Sequence, residues 1–365
     1  MIKLLPFAFL LFLLQSCVEP VVPEYDYTTG FLLVEGDIVD QPGYSRVALR
    51  RSTREFGNYR LDPVTGAAVS SIDGDGREVP WRETEAGTYV PPEDFVAQAG
   101  QTYHLEASLL SGEHVISEDE RLPTAVDLPA LRMRFEQEAY YSSEAERFVP
   151  AFTLLADVAD PAGEDNFYRY THRSWSQLAI CATCYNSVYR NGSCVQTPAS
   201  RNVPRYDYSC DGTCWAITRG RSVRLLSDAL NPDGIFRDVP VARLDYVGSG
   251  GLLVEVEQYA ITRAAFAYYE VLQDLTEGSS GLNAPLPAPL YGNLRATDDA
   301  APAVLGYVAV SSLATRRLYW NRDAVDGEPL SRPPPPVFEP VSPSPPSAPC
   351  AGPNRTATEP EGWQQ

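Results

Sequence analysis

The chain has 365 residues and carries 48 acidic against 29 basic side chains, a net charge of −19, with 44% hydrophobic residues, 21 tyrosines and 32 prolines. Such a balance repels nucleic acid and anionic headgroups, and the composition is that of a turn-rich, mainly β globular protein of about two domains. The only lysine is Lys3, which excludes a P-loop, a pyridoxal Schiff base and a Ser-x-x-Lys acylase, each of which needs a lysine elsewhere in the fold.

The apolar run from Ile2 to Leu14, followed by Gln15-Ser16-Cys17, has the pattern of a lipobox. It predicts a signal peptide over 1–16, with Cys17 acylated as the first mature residue, because the apolar stretch is too short for a permanent span. The mature chain then has 28 arginines, no lysine and a net charge of −20. Residues 17–29, with Pro20 and Pro23 and no amphipathic period, read as a tether that holds the fold off the membrane.

Residues 30–125 read as a β-sandwich. Strands are predicted at 31–35, 46–50, 67–72, 88–90, 103–110 and 114–117, separated by turn signals such as Gln41-Pro42-Gly43 and Asp73-Gly74-Asp75-Gly76. Residues 126–326 read as a larger β-rich domain. Its strand candidates are 148–158, 166–171, 222–226, 242–246, 252–259, 305–310 and 317–320. One helix is predicted over 263–276, with Thr262 as cap, Ile261 and Phe266 as staple and Gly278 just beyond its end. Its Phe266, Tyr269, Leu272 and Gln273 recur at helical spacing, the mark of a face packed on a sheet. From 327 to 365 the chain is rich in proline and serine, and its composition predicts an extended, disordered tail.

The densest chemical signal is a cysteine-rich insertion over 181–214, with Cys181, Cys184, Cys194, Cys210 and Cys214, joined by Cys350 in the tail. Two close pairs across a loop fit a zinc ribbon, yet an exported protein meets an oxidising compartment, and removing Cys17 leaves an even six. Disulfides are therefore expected, with 15 connectivities open and no metal. His104, His114 and His172 are the only histidines, and neither a Gly-x-Ser-x-Gly elbow nor a His-Glu-x-x-His is present. Asp157, Asp160, Glu164 and Asp165 offer oxygens to calcium without the spacing of an EF-hand loop. No catalytic residue or cofactor is assigned.

Several segments taken in order resemble a known family: Leu33-Val34-Glu35-Gly36, Pro63-Val64-Thr65-Gly66-Ala67-Ala68-Val69, Gly87-Thr88-Tyr89 and Gly100-Gln101-Thr102-Tyr103-His104-Leu105. They continue with Asp160-Pro161 to Asn166-Phe167-Tyr168-Arg169, Cys214-Trp215, Gly292-Asn293-Leu294 and Val304-Leu305-Gly306-Tyr307. This series resembles the Bacteroidota lipoprotein family catalogued as domain of unknown function 4249, over about residues 17–325. The extra cysteines around 181–194 and the proline-rich tail depart from its pattern. The resemblance implies an immunoglobulin-like or transthyretin-like first domain and a lipid-anchored outer-membrane protein. It further implies a non-enzymatic accessory or ligand-capturing partner of a TonB-dependent receptor. The alternatives are a carboxylate-dependent surface hydrolase of glycans or peptides, and a structural or adhesive surface protein.

Overall fold

The computed structural model describes residues 29–161, 165–220, 222–229, 234–277, 290–298, 301–331, 334–341 and 343–364. Cys17, Glu164 and Gly278 lie outside the described residues. The first nine strands are β1 (Leu32–Val39), β2 (Arg46–Glu55), β3 (Asn58–Pro63), β4 (Ala68–Asp73), β5 (Glu78–Glu85), β6 (Thr88–Val90), β7 (Thr102–Ser108), β8 (His114–Ser117) and β9 (Glu120–Arg121). Then come β10 (Ala130–Ser142), β11 (Arg147–Ala159), β12 (Phe167–Gln177), β13 (Ile180–Cys184), β14 (Val188–Arg190), β15 (Ser193–Val195), β16 (Tyr206–Ser209), β17 (Trp215–Arg219), β18 (Arg224–Ser227), β19 (Ile235–Asp245) and β20 (Gly251–Ile261). Helix α1 (Arg263–Glu277) precedes β21 (Leu294–Ala296), β22 (Val304–Leu305), β23 (Val308–Asn321) and β24 (Arg355–Thr356).

Strands β1 to β9 build the first sandwich. One sheet pairs β1 with β2 and β2 with β3 and β6, and the facing sheet pairs β4 with β5 and β7, and β7 with β8 and β9. Strand β5 belongs to both, pairing with β4 up to Trp81 and with β6 from Arg82. Alternating apolar residues such as Val34, Leu49, Trp81, Leu105 and Val115 fill the space between the sheets. The predicted strands are present, and three were missed: β3, with few apolar residues, β5, interrupted by Pro80, and the two-residue β9.

The second sandwich stacks a sheet of β23, β20, β12 and β17/β18 against β10, β11 and β19. Its core brings together Leu154, Ala156, Val158, Tyr168, Tyr170, Val254 and Val256. Strand β10 was also missed, although Leu131, Met133 and Phe135 alternate with Arg132, Arg134 and Glu136 in the period of a half-buried strand.

After α1 the chain returns to the strands of the first sandwich. Strand β21 pairs with β8, β22 pairs with β1, and the first residues of β23 pair in parallel with Gly36 to Val39 of β1. Strands β21 and β22 and residues 308–311 of β23 therefore belong to the first sandwich. From Ser312 onward β23 pairs antiparallel with β20, so one strand serves both bodies. A parallel neighbour must arrive by a long crossover, which is why proximity in sequence misassigned this segment. Gly306, at φ +102°, allows the approach: a Cβ there would lie 2.1 Å from the Val34 carbonyl oxygen.

Where β23 changes partners, side chains replace the missing strand. Glu120 accepts from the Val310 amide at 3.1 Å, from Thr262 at 2.7 Å and from the Tyr307 hydroxyl. Asp40 accepts from the Leu313 amide at 2.8 Å, and the Asn293 amide group brackets Val308 through both its N–H and C=O. Thr262, the N-cap of α1, accepts from the Ala265 amide and so ties the helix to the same carboxylate.

The tail differs from expectation. It is extended and nearly free of regular structure, as its prolines dictate, but it is docked. Disulfides join Cys181 to Cys210, Cys184 to Cys194 and Cys214 to Cys350, the last closing 136 residues of chain. Glu339 accepts from Arg190 and Tyr208, the Asp207 amide donates to the Val337 carbonyl, and β24 pairs with β17. Trp363 then packs edge-on against Trp215 and Tyr319. Such a segment cannot build a core of its own, and here it borrows one from the insertion.

Two predictions follow from these contacts. Replacing Glu120 by Leu leaves the Val310 amide without its acceptor, and chemical denaturation should show a loss of about 1–3 kcal/mol for that buried unsatisfied donor. The double variant C214A/C350A should render residues 334–349 sensitive to limited proteolysis and lower the melting temperature, with a chain-entropy ceiling of about 5 kcal/mol for a loop of this length.

Candidate functional site

The charged groups in the middle of the molecule arise from alternation along β12. Tyr168 and Tyr170 face the second core, which turns Arg169, Thr171, Arg173 and Trp175 to the other face, where Arg169 and Arg173 reach Asp37 and Tyr44 of the first sandwich. On β20 the same face carries Glu255, Glu257 and Tyr259, and the register sets Arg173 opposite Glu255, Thr171 opposite Glu257 and Arg169 opposite Tyr259. Strand β23 adds Arg317 opposite Glu255 on its other side.

The result is a row Arg173–Glu255–Arg317 across three strands. Arg173 donates to Glu255 at 2.6 Å and Arg317 does so at 2.5 Å, both guanidinium groups lying over the Trp175 ring at 5.3 and 5.5 Å. Tyr44, from the β1–β2 loop, enters the same network, donating to Glu255 and accepting from Arg173 at 2.7 Å. Burial first, then the neighbouring Glu255, push the Tyr44 hydroxyl above its ordinary pKa.

Arg169 is 8% exposed and lies between the Tyr259 and Tyr269 rings, 4.4 and 4.6 Å from their centroids. Its burial opposes the charge, and Asp37 of β1, bonded at 2.5 Å, outweighs that, holding the guanidinium well above its ordinary pKa. Tyr269 comes from α1. The helix face predicted from its spacing is core, packed against Phe167, Tyr259 and Tyr307.

Between these groups a cavity of about 250 Å³ remains on the seam of the two sandwiches. Arg46, Arg169, Arg173 and Arg219 line it together with Asp37 and Glu257. Arg46 has no ion-pair partner among the described residues, and Arg219 meets only the Asn354 side-chain oxygen at 3.3 Å. Glu257 accepts from Thr171 at 2.8 Å and from Tyr259 at 3.0 Å. In a chain of net charge −19, four guanidinium groups around one small cavity form a local reversal of sign. A larger cleft of about 660 Å³ also lies on the seam; its Asp165 and Arg263 are bonded to each other, which leaves Arg121 as its one other charged lining residue.

His172 forms part of the cavity wall. Gly220 faces its ring so closely that a Cβ would stand 2.2 Å from an imidazole carbon. Burial lowers the imidazole pKa below its ordinary 6.5.

The other residues singled out by sequence are placed apart. His104 contacts Asp119 at 2.7 Å, and His114 contacts Ser108 at 2.9 Å, both in the first sandwich and away from His172. The acidic cluster is divided among separate partners: Asp157 accepts from Arg132 and from the Asp238 amide, Asp160 from Tyr168, and Asp165 from Arg263. Among the described residues of the cluster, Asp157, Asp160 and Asp165 do not form a common group of ligand oxygens. Cys181, Cys214 and Cys350 bring their sulfurs within 4.8 Å of one another, but each is spent in a disulfide. The arginine-lined cavity escaped sequence reading. Arg169 and Arg173, four apart on a strand, were a visible signal of one shared face, whereas Asp37, Arg46 and Arg219 reach them only through the fold.

A family model described as Domain of unknown function (DUF4249) matches residues 18–317. No curated protein matches the chain. The chain belongs to that family.

A histidine with a depressed pKa favours the fold in its neutral form, so the stability it contributes is complete above pH 6.5 and is lost as pH falls through the lowered value. Denaturant titrations from about pH 7 down to about pH 5 should show this loss in the native chain and a flatter profile in H172F. The variant G220A, which crowds the ring, should be destabilised by about 1–3 kcal/mol.

Proposed function

We propose that this family member is a lipid-anchored protein of the outer membrane that captures an anionic solute at the arginine-lined seam and works beside a TonB-dependent receptor. The observation that carries the reading is the pair Arg46 and Arg219, two guanidinium groups that line a cavity without a carboxylate partner among the described residues. Planar, multi-donor cations of this kind suit carboxylate, phosphate or sulfate groups. The lipobox at Cys17 and the envelope setting implied by the family resemblance supply the location.

The reading is of a binding protein without catalysis. Asp37 is bonded to Arg169, Glu255 lies between two arginines, and Glu257 accepts two hydroxyls. A general acid or base must have its proton site free to face a substrate, and these carboxylates spend theirs on the seam.

Affinity purification of the tagged protein from detergent-solubilised envelopes should recover a TonB-dependent receptor, and the variant C17A should move the protein from the membrane to the soluble fraction. The double variant R46A/R219A should retain the receptor while weakening capture of the co-purified anionic solute by about tenfold or more, at roughly 1.5–3 kcal/mol per charged hydrogen bond. Recovery of no receptor overturns the partnership, and unchanged solute binding overturns the site.

A further inference from the structure

The hairpin joining β2 to β3 has an unusual tip. Glu55 pairs with Asn58, leaving a two-residue loop of Phe56 and Gly57 at φ +49° and +84°. Two positive φ values define a type I′ turn, for which Asn-Gly is the favoured pair. A bulky aromatic in the left-handed region is strained, and this one also leaves its ring 95% exposed to water. Both terms work against the folded protein in isolation. They call for a second phase that the ring enters.

The position of the hairpin says which. The fold begins where the Gly30 amide donates to the Ser52 carbonyl and the Ser52 amide donates back to Phe31. Past Ser52, β1 has ended, and β2 and β3 continue as a two-stranded ribbon through Thr53–Arg60, Arg54–Tyr59 and Glu55–Asn58. The tip therefore projects about 13 Å beyond the point where the tether enters, four residues at strand rise. On the same end, Arg51 donates to the Gly30 carbonyl and to Glu113, in the β7–β8 turn whose Leu110 is 83% exposed.

The charges of the hairpin and of Glu113 are paired. Glu55 and Asp62 are held by Arg60, Glu113 is held by Arg51, and Arg54 lies over the Tyr59 ring. An aromatic apex with a tyrosine and arginine stems behind it has the composition of a segment that sits at a bilayer interface. A tether of about a dozen residues reaches at most about 40 Å, which keeps the hairpin within reach of a surface holding an acylated Cys17.

We infer that the β2–β3 hairpin is a second membrane contact, inserting Phe56, with Leu110 beside it, into the interface of the bilayer that holds the acylated Cys17. This rests on the lipid-anchor reading. It sets the orientation of the protein, standing on the first sandwich with the arginine-lined seam held away from the lipid.

The test uses the acylated full mature chain in phosphatidylcholine vesicles. The indole introduced by F56W should be quenched by brominated lipid in excess of the native tryptophans. The variant F56N, which gives the turn its preferred residue pair, should melt at the same temperature or higher and yet transfer between vesicles about tenfold faster, the loss expected for one aromatic withdrawn from the apolar phase. Flotation with vesicles but no added quenching, or an unchanged transfer rate, overturns the hairpin contact and leaves the anchor standing. A blue shift that requires the receptor and not lipid overturns it in favour of a protein partner, and failure to float at all overturns both readings.

Discussion

The structure depends on a single strand that belongs to two sheets. A strand's amides need partners along its whole length, and β23 leaves β1 before all of them are supplied by β20. Glu120 of β9, Asp40 just after β1 and Asn293 just before β21 meet that need. Burial pushes the Glu120 carboxyl above its ordinary pKa, and the hydroxyls and amide around it work in the opposite direction. Because the same carboxylate bonds Thr262 at the start of α1, the crossing point also sets where the helix begins. Two sandwiches joined in this way share hydrogen bonds rather than a flexible linker. The seam between them can therefore hold side chains at defined distances.

What fills that seam is charge. Lys3 apart, arginine is the only basic residue besides three histidines, and its planar group stacks on aromatic faces and forks toward carboxylates in ways an ammonium does not. The row Arg173–Glu255–Arg317 on Trp175, and Arg169 between two tyrosines, use both properties. The face of the second sandwich that carries these groups is covered by Asp37 and Tyr44 of the first sandwich, by Tyr269 of α1 and, at Arg317 and Trp175, by Glu361 and Trp363 of the tail. Desolvated and paired, they rigidify the seam. The guanidinium groups left over at its rim, Arg46 and Arg219, give the cavity its sign.

The cysteine-rich insertion solves a different problem. It has short two-stranded sheets and little aliphatic content, too small a core to hold a shape without cross-links. Two of its disulfides close locally, and the third recruits the tail, whose Trp363 covers Trp215 at the edge of the central sheet. Proline-rich composition forbids a self-contained core in that tail, but it does not forbid docking, since an extended chain can bond through its carbonyls and a few anchored side chains. The expectation of disorder came from treating the tail by itself.

The sequence by itself determined the mainly β class, the alternation that builds most strands, the capped helix with its apolar face, and the supply of cysteines. These are local matters of periodicity, turn chemistry and composition. It also carried a signal for β10 in the spacing of Leu131, Met133 and Phe135, and for the charged face of β12 in Arg169 and Arg173. Tertiary structure alone decided that β23 crosses from one sandwich to the other, that Cys214 pairs with Cys350 across 136 residues, and that Asp37 and Arg46 meet Arg169 and Arg219. Each of these is a contact between segments far apart in the chain. Residue spacing encodes which face a side chain takes on its own strand, but not which distant strand comes to lie against it.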